Sequence, residues 1–372
     1  MDVGQFCVDQ LIFGFVEDDS DWAVMVPGGY DWWPTERRQS VRIIGRDTTD
    51  NSPNSLVSIQ TDVVRDLDFT WETATALGKL SKQASLSGLV WFPEDNSVRL
   101  CTLMKVQEEN LMAVSTRLIL AALLQIDEAA RAAEILSEKF DATNFSSEHP
   151  NAGFRVTPSP VTQALNSLVL SQSSIAPPWS ESDFTTINNH IFPSGAGPFA
   201  NLGESGLTVE FPFHTDFTSL SRVWHSRHPF YGWGLMIEQE FPVNYATDEE
   251  YFPVVIKMNL HELTVIPRGQ GVGAYWWNRD KRTIVWTSFI PNWGYKAEPQ
   301  LNHAHQILLA DALEDKARLL CKDFTGYEWD EDSFDPRRTS TYKLFEVAGG
   351  DEDLMTALGL KILEDHFKKN KE

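Results

Sequence analysis

The sequence predicts an α+β protein made of two tandem repeats of an antiparallel sheet, each in the order strand-strand-helix-strand-strand-helix. Segment 87–102 aligns with segment 272–287 at one constant offset, and the identical pairs are Gly88 with Gly273, Trp91 with Trp276, Asp95 with Asp280 and Thr102 with Thr287. Both segments consist of an alternating run, a turn and a second alternating run, which is typical of a hairpin. Each is followed by a long stretch of helix-forming residues that contains an Ala-Arg pair, at 130–131 and at 317–318.

Each element of the first repeat follows from local pattern. Apolar residues alternate with polar ones on both sides of a turn cluster at 51–54, and Ala74, Leu77 and Leu80 have helical spacing. A second turn, at 93–96, is too short to join anything but antiparallel strands. The predicted order is strands over 39–46 and 56–64, a helix over 71–82, strands over 86–92 and 98–106, and a long helix over 111–140.

The second repeat is predicted in the same order. Its helix is the least regular element, because the residues of 252–263 are more β-branched than those of its counterpart. The predicted elements are strands over 207–215 and 233–241, a helix over 252–263, strands over 273–278 and 283–290, and a closing helix over 300–324.

These elements divide the chain into four regions. We predict a first repeat with an N-terminal extension over 1–140, a connecting segment rich in Ser, Pro and Gly over 141–204, a second repeat over 205–325, and an acidic loop with a C-terminal helix over 326–372. Each sheet is expected to pack one face against its long helix. Because both sheets carry apolar residues on either face, we expect the repeats to cover each other as a pseudo-dimer, or the whole chain to form a homodimer.

Composition limits the classes of partner. The chain has 53 acidic and 31 basic residues, a formal charge of −22, and such a field repels nucleic acid and anionic membrane surfaces. The three cysteines are widely spaced, which predicts free thiols rather than a disulfide or metal framework. The N-terminus lacks a basic region before its apolar residues, and segment 111–126 is too short to span a bilayer. These features together predict a cytoplasmic protein with no membrane partner.

Tryptophan residues are the first candidates for a binding site. Trp32 and Trp33 lie in a predicted loop just before Arg37 and Arg38, and large flat side chains in such a loop can anchor a partner. Trp276 and Trp277 lie on a predicted strand beside Tyr275. The alternative is that these side chains fill the core, and the equivalent positions of Trp91 and Trp276 favour the core for that pair.

Histidines give the alternative hypothesis of a metal-dependent hydrolase. His225 and His228 lie in a predicted polar loop, and His303 and His305 lie at the start of the closing helix. A zinc site needs three or four converging ligands, and residues two apart on a helix point in different directions. Ordinary core and surface histidines are the competing interpretation.

Other motifs of catalysis are absent from the sequence. Gly269, Gly271 and Gly273 precede a predicted strand rather than a helix, so they fit a turn better than a phosphate-binding loop. No nucleophile elbow is present, and the acidic run 330–332 resembles a solvated loop. The sequence therefore predicts no cofactor and no catalytic residue.

The order of elements resembles that of the type III secretion chaperone-like fold, a small antiparallel sheet carrying helices. The resemblance covers about 30–140 and 205–325 and lies in topology alone. It implies binding of protein segments rather than catalysis. We therefore predict a non-catalytic protein-binding or chaperone-like module, with the metal-dependent hydrolase as the alternative.

Overall fold

The computed structural model is an α+β protein with two antiparallel sheets, as predicted. It describes residues 2–45, 54–83, 85–165, 179–191, 200–203, 206–214, 217–243, 248–292 and 299–325. The predicted C-terminal helix lies outside these residues.

The first sheet has seven strands, all paired antiparallel. Their bounds are β1 Ala23–Val26, β2 Gly29–Trp32, β3 Gln39–Gly45, β4 Ser55–Arg65, β5 Gly88–Phe92, β6 Ser97–Val106 and β7 Thr143–Asn144. The spatial order is β1-β2-β3-β4-β6-β5, and β7 pairs with the end of β4.

The second sheet has six strands, also antiparallel. Their bounds are β8 Ala200–Gly203, β9 Gly206–His214, β10 Phe217–His228, β11 Gly232–Phe241, β12 Ala274–Asn278 and β13 Thr283–Pro291. The spatial order is β12-β13-β11-β10-β9-β8. Apart from β7, each sheet is thus a four-stranded meander followed by a hairpin whose second strand pairs with the meander, so the two sheets otherwise have the same connectivity.

Six helices of nine or more residues accompany the sheets in the described part of the chain, where residues 160–165 are also helical: α1 Val3–Leu11, α2 Trp71–Ser81, α3 Leu111–Phe140, α4 Glu181–Ile191, α5 Asp248–Thr264 and α6 Pro299–Thr325. Helix α3 packs on β4 and β6, and α6 packs on β9. Local signals explain two of the starts. Asp2 accepts hydrogen bonds from the first amides of α1, and Thr70 forms a capping box with Thr73 at the start of α2.

The halves of the chain contact each other reciprocally. Helix α5 of the second half packs on β5 and β6 of the first, while α2 of the first half packs on β12 of the second. Leu103 in β6 exchanges two backbone hydrogen bonds with Gly271, of 2.9 and 2.8 Å. In the opposite direction, the Phe289 N–H in β13 donates to the Ser85 carbonyl at 3.1 Å. Each half thus supplies a helix and a backbone segment to the hairpin of the other.

Glycine is required where the two hairpins approach. A Cβ built on Gly88 lies 2.5 Å from Leu263 Cδ1 and 2.8 Å from the Gly273 carbonyl oxygen. We expect Gly88→Ala to lower the free energy of unfolding by about 1–3 kcal/mol, because overpacking forces the halves apart. Urea denaturation measures the change. Gly14→Ala is the matched control, since a Cβ there meets nothing within 4 Å; an equal loss in both variants would contradict the explanation.

The connecting segment packs on both halves. Its first part adds β7 to the first sheet, and the Phe145 N–H donates to the Val63 carbonyl at 3.1 Å. Its later part forms α4, which packs on α6 and on β8. Apolar residues of α4, including Phe184 and Ile187, are fully buried. This burial accounts for the apolar residues in a segment that is otherwise rich in Ser, Pro and Gly.

Strand β10 differs from the sequence prediction, which placed its last residues in a polar loop. Its apolar residues Leu220 and Val223 are three apart, so the period of two that signals a strand is broken. The strand nevertheless lies inside the sheet, between β9 and β11. Pairing on both sides satisfies its backbone groups and overrides the weak local pattern.

Candidate functional site

A groove on the first half has a volume of about 540 Å³. It lies between α1, the two turns that follow it and strand β1. We call it the N-terminal groove and define it by its lining residues, which are apolar apart from three: Asp9, Ile12, Phe13, Val16, Glu17, Ser20, Ala23 and Met25. An apolar groove of this size is a common feature of binding sites.

Local helix geometry exposes the apolar floor of the groove. Helix α1 buries Val8 and Leu11 in the core, and it continues as a π-helical turn over Ile12–Val16. The wider turn keeps Phe15 and Val16 buried but leaves Phe13 75% exposed. Met25, on the other side of the groove, is 60% exposed. Single π-helical turns of this kind often occur at functional sites.

The charged residues of the groove are acidic. Asp9 and Glu17 are both exposed, and Asp18 and Asp21 are exposed in the turn beside them. None of the described residues that line the groove is basic. In a chain with a formal charge of −22, this local field favours a cationic ligand over an anionic one.

Strand β1 forms one edge of the first sheet. The Trp33 N–H donates to the Trp22 carbonyl at 3.0 Å, which fixes the register of β1 on β2. By the alternation of an antiparallel ladder, the backbone groups of Val24 then face β2, whereas those of Ala23 and Met25 face away from it. Among the described residues no strand pairs with this edge. The groove thus lies beside backbone donors and acceptors that can accept another strand.

A buried network holds the wall of the groove. Asp19 accepts a hydrogen bond from Trp32 Nε1 at 2.8 Å and two from the Arg155 guanidinium, at 2.6 and 2.9 Å. The same guanidinium donates to the Trp33 carbonyl at 2.7 Å. The Trp32 ring stacks on Phe15, with centroids 6.1 Å apart. These contacts fix the turn over Glu17–Trp22 against the sheet.

The structure therefore corrects the placement of two predicted binding residues. Trp32 is fully buried and Trp33 is 4% exposed, so neither ring is open to a ligand. Trp33 Nε1 donates to the Ser147 carbonyl at 2.9 Å, which connects this loop to the connecting segment. Trp32 is the last residue of strand β2 and supports the groove from behind through its contact with Phe15, whereas Trp33 follows the strand and packs its ring on His149.

The two arginines of the same prediction have acidic partners. Arg37 is buried and pairs with Glu36 at 2.5 Å, while its Nη2 donates to Asn144 at 2.6 Å. Arg38 Nε lies 3.3 Å from Asp62 Oδ2. Burial lowers the pKa of Arg37, although the adjacent Glu36 carboxylate opposes this effect. These contacts connect the strands of the first sheet with the connecting segment.

The remaining tryptophan candidates lie on β12, in the second half. Trp277 is 9% exposed and stacks on Tyr251. Trp276 is half-buried, its Nε1 donates to Thr287 Oγ1 at 2.7 Å, and the Lys82 ammonium lies 4.4 Å from its ring centroid. Because Lys82 follows α2, Trp276 belongs to the contact between the halves.

The histidines of the alternative hypothesis have separate surroundings. His225 and His228 lie on β10 three residues apart, so they face opposite sides of the sheet. The His225 ring lies 5.3 Å from Phe184, whereas His228 Nε2 donates to the Gln83 carbonyl at 2.7 Å. Burial lowers the pKa of each.

His305 is buried on α6 against Arg117 of α3, whose Nε donates to His305 Nδ1 at 3.3 Å. Burial and the adjacent guanidinium lower the pKa of His305 to about 3. The His303 side chain lies outside the described residues. Within those residues no group of three or more His, Cys, Asp or Glu side chains is arranged to hold a metal ion. The metal-dependent hydrolase remains a prediction without an observation that favours it.

The sequence analysis does not predict the N-terminal groove. Residues 1–31 lie outside the two predicted repeats, as an extension of the first. A signal was nevertheless present: Ile12, Phe13, Phe15 and Val16 place apolar side chains on more than one face of a helix. Such a helix buries one face and leaves the other for a ligand or partner.

Comparison with protein-family models, with curated proteins and with solved structures finds no match to this chain. None of the helices in the described ranges combines the length and apolar character needed to cross a bilayer.

Proposed function

We propose that the protein is a non-catalytic binding module that holds an extended segment of another protein in the N-terminal groove. The observation that carries this proposal is the position of the groove beside the unpaired edge of β1. An extended segment can pair its backbone with Ala23 and Met25 and place alternate side chains on the apolar floor. Backbone pairing then supplies affinity, and the floor supplies selectivity.

The charge of the groove indicates the partner. Asp9 and Glu17 border an apolar surface whose described residues include no basic one, so the complementary segment alternates apolar and basic residues. Acidic and apolar contacts together favour that segment over nucleic acid or an anionic lipid surface. The buried contacts of Asp19 with Trp32 and Arg155 support binding, because a fixed wall costs little ordering entropy.

Internal duplication is part of the same proposal. The two sheets have the same connectivity, and the halves exchange equivalent contacts through β6 and β13. A protein that dimerises within one chain covers its own hairpins in this way and leaves the outer edges of its sheets for partners. We place the module in the cytoplasm, in keeping with its buried free cysteines.

Binding of a synthetic peptide tests the proposal. We expect a labelled peptide of alternating valine and lysine to bind the full chain at least about tenfold more tightly than one of alternating valine and glutamate, measured by fluorescence anisotropy. Met25→Lys is expected to weaken binding by about tenfold or more, because it replaces apolar floor with a like charge.

Met112→Lys is the matched control, because Met112 on α3 has the same 60% exposure and is not one of the residues that define the groove. It is expected to leave affinity unchanged. Equal affinity for the two peptides, or an equal loss in the two variants, would refute binding in the groove.

A further inference from the structure

A second, smaller cavity lies where the halves meet, and it encloses a carboxyl group that lacks a full set of partners. The cavity has a volume of about 50 Å³, and Leu80, Gln83, Leu89, Glu128, Arg131 and Phe230 are among its lining residues. Glu128, on α3, is 6% exposed. The Ser85 N–H donates to its Oε1 at 3.0 Å, while its Oε2 is buried and has no hydrogen-bond partner among the described residues.

Ser85 connects this carboxyl group to the second half. Its carbonyl accepts a hydrogen bond from the Phe289 N–H at 3.1 Å and one from Ser288 Oγ at 3.2 Å, both from β13. Glu128 therefore binds the N–H group of a residue whose carbonyl group binds the second sheet. A movement of the Glu128 carboxyl group that shifts Ser85 also shifts this contact between the halves.

Arg131, the cation next to Glu128, already has other partners. Arg131 pairs with Asp127 one turn earlier on α3 and donates to the Tyr231 hydroxyl at 2.5 Å. Its guanidinium lies 4.0 Å from the Phe230 ring centroid. Both aromatic residues belong to the turn between β10 and β11. Arg131 thus fixes this turn on α3 and does not bond the unpartnered oxygen of Glu128.

Hydrogen bonds and burial define the protonation states of the other groups around the cavity. From the β10–β11 turn, His228 accepts the Phe230 and Tyr231 amides at Nδ1, at 3.2 and 3.3 Å, and donates from Nε2 to the Gln83 carbonyl. This pattern requires a neutral ring. Burial lowers the pKa of His228 and raises that of Tyr231 well above its ordinary range. The residues that α2 and the first sheet contribute are uncharged: Leu80, Gln83, Leu89 and Leu100.

We propose that Glu128 makes the contact between the two halves dependent on pH, with the contact tightest when its carboxyl group is protonated. A neutral carboxyl group fits a small cavity whose walls are mainly apolar, whereas an ionised one is a buried charge with one unpartnered oxygen. Ionisation therefore favours opening of the cavity to water and release of Ser85. The partner half is displaced with it, because Ser85 carries the β13 contact.

The direction of the effect follows from proton linkage. Burial raises the pKa of Glu128 to about 7, against an ordinary value of 4.5. Between pH 4.5 and about pH 7, the closed form therefore keeps a proton on Glu128 that the open form has released. The stabilisation is complete at low pH and is lost as the pH rises through about 7. His228 is neutral as the pH rises through about 7, because its pKa is lowered from the ordinary value. Its titration therefore does not oppose this loss of stabilisation.

Hydrogen–deuterium exchange of the full chain tests this proposal. For the β13 segment that contains Phe289, corrected for intrinsic exchange, we expect the opening constant to rise about tenfold between about pH 6 and about pH 8. Glu128→Gln keeps the acceptor for Ser85 and cannot ionise, so this rise is expected to disappear. Glu128→Met, which also cannot ionise, is a second variant and is expected to show the same loss.

Glu134→Gln is the matched control, because Glu134 lies on α3 and is exposed. It is expected to behave as the wild type. Absence of the rise in the wild-type protein would overturn the proposal, and so would a rise of equal size in the Glu128→Gln or Glu128→Met protein.

Discussion

Replacement of Glu262 by leucine is expected to lower the free energy of unfolding by about 3–5 kcal/mol, because it leaves a buried ammonium group without its counter-charge. Lys316 is fully buried, and its Nζ bonds to Glu262 Oε1 and, at 3.1 Å, to the Tyr275 hydroxyl. The Tyr275 hydroxyl donates to Glu262 Oε2 at 2.5 Å. Glu262 is thus the acceptor that satisfies both neighbours.

The measurement is urea denaturation of the single and double variants. Lys316→Met together with Glu262→Leu removes both charges, and we expect this double variant to recover most of the stability that the single variant loses. A double variant as unstable as the sum of the two single variants would contradict the importance of charge pairing.

The same pair predicts a pH dependence. Burial lowers the pKa of Lys316, although the Glu262 carboxylate opposes this effect. At Lys316 the unfolded chain then binds more protons than the folded chain at alkaline pH, so the contribution of this residue to stability rises as the pH approaches the ordinary lysine value. In Glu262→Leu the opposing charge is gone, and we expect the stability of this variant relative to the wild-type protein to increase with pH, as measured by urea denaturation of both proteins across the alkaline range.

Replacement of Arg155 by methionine is expected to lower the free energy of unfolding by about 3–5 kcal/mol and to weaken peptide binding in the N-terminal groove. The substitution removes both hydrogen bonds to Asp19 and leaves its carboxylate buried beside Trp32. The wall of the groove loses its fixed position as a result. Arg155 does not line the groove, so a loss of affinity reports preorganisation rather than a lost contact.

Two controls separate these effects. Arg65→Met removes an exposed pair with Asp66, 3.7 Å apart, and is expected to change stability by less than about 1 kcal/mol. Asp19→Asn combined with Arg155→Met removes both charges of the buried pair and is expected to recover part of the stability. If Arg155→Met were no more destabilising than Arg65→Met, Asp19 would not depend on Arg155 for its burial.

Most regular elements were predictable because their local signals are strong. Helix α3 covers Leu111–Phe140 as predicted, since its apolar residues keep one register over its whole length. The hairpin of β12 and β13 was predicted from its alternation and turn. Helix α5 was predicted despite its β-branched residues, and it begins earlier, at Asp248.

The binding site was less predictable, because exposure depends on distant parts of the chain. Trp32 was predicted in an exposed loop, but its ring packs on Phe15 and its Nε1 bonds to Asp19, both from the N-terminal segment. The partner of Trp33 is Ser147, more than a hundred residues away. No local pattern contains such contacts. Met25 is likewise exposed because β1 ends the sheet, and Phe13 is exposed by the π-helical turn that follows α1.

By itself, the sequence determined the α+β class, the order of most helices and strands, and the aligned segments 87–102 and 272–287. These properties depend on residues close in the chain, whose spacing selects backbone geometry. Only the tertiary structure decided that β10 is an inner strand, that Trp32 is buried, and that Glu128 and the Glu262–Lys316 pair lie in the interior. Burial and charge pairing depend on which distant surfaces meet, and that is a property of packing rather than of local spacing.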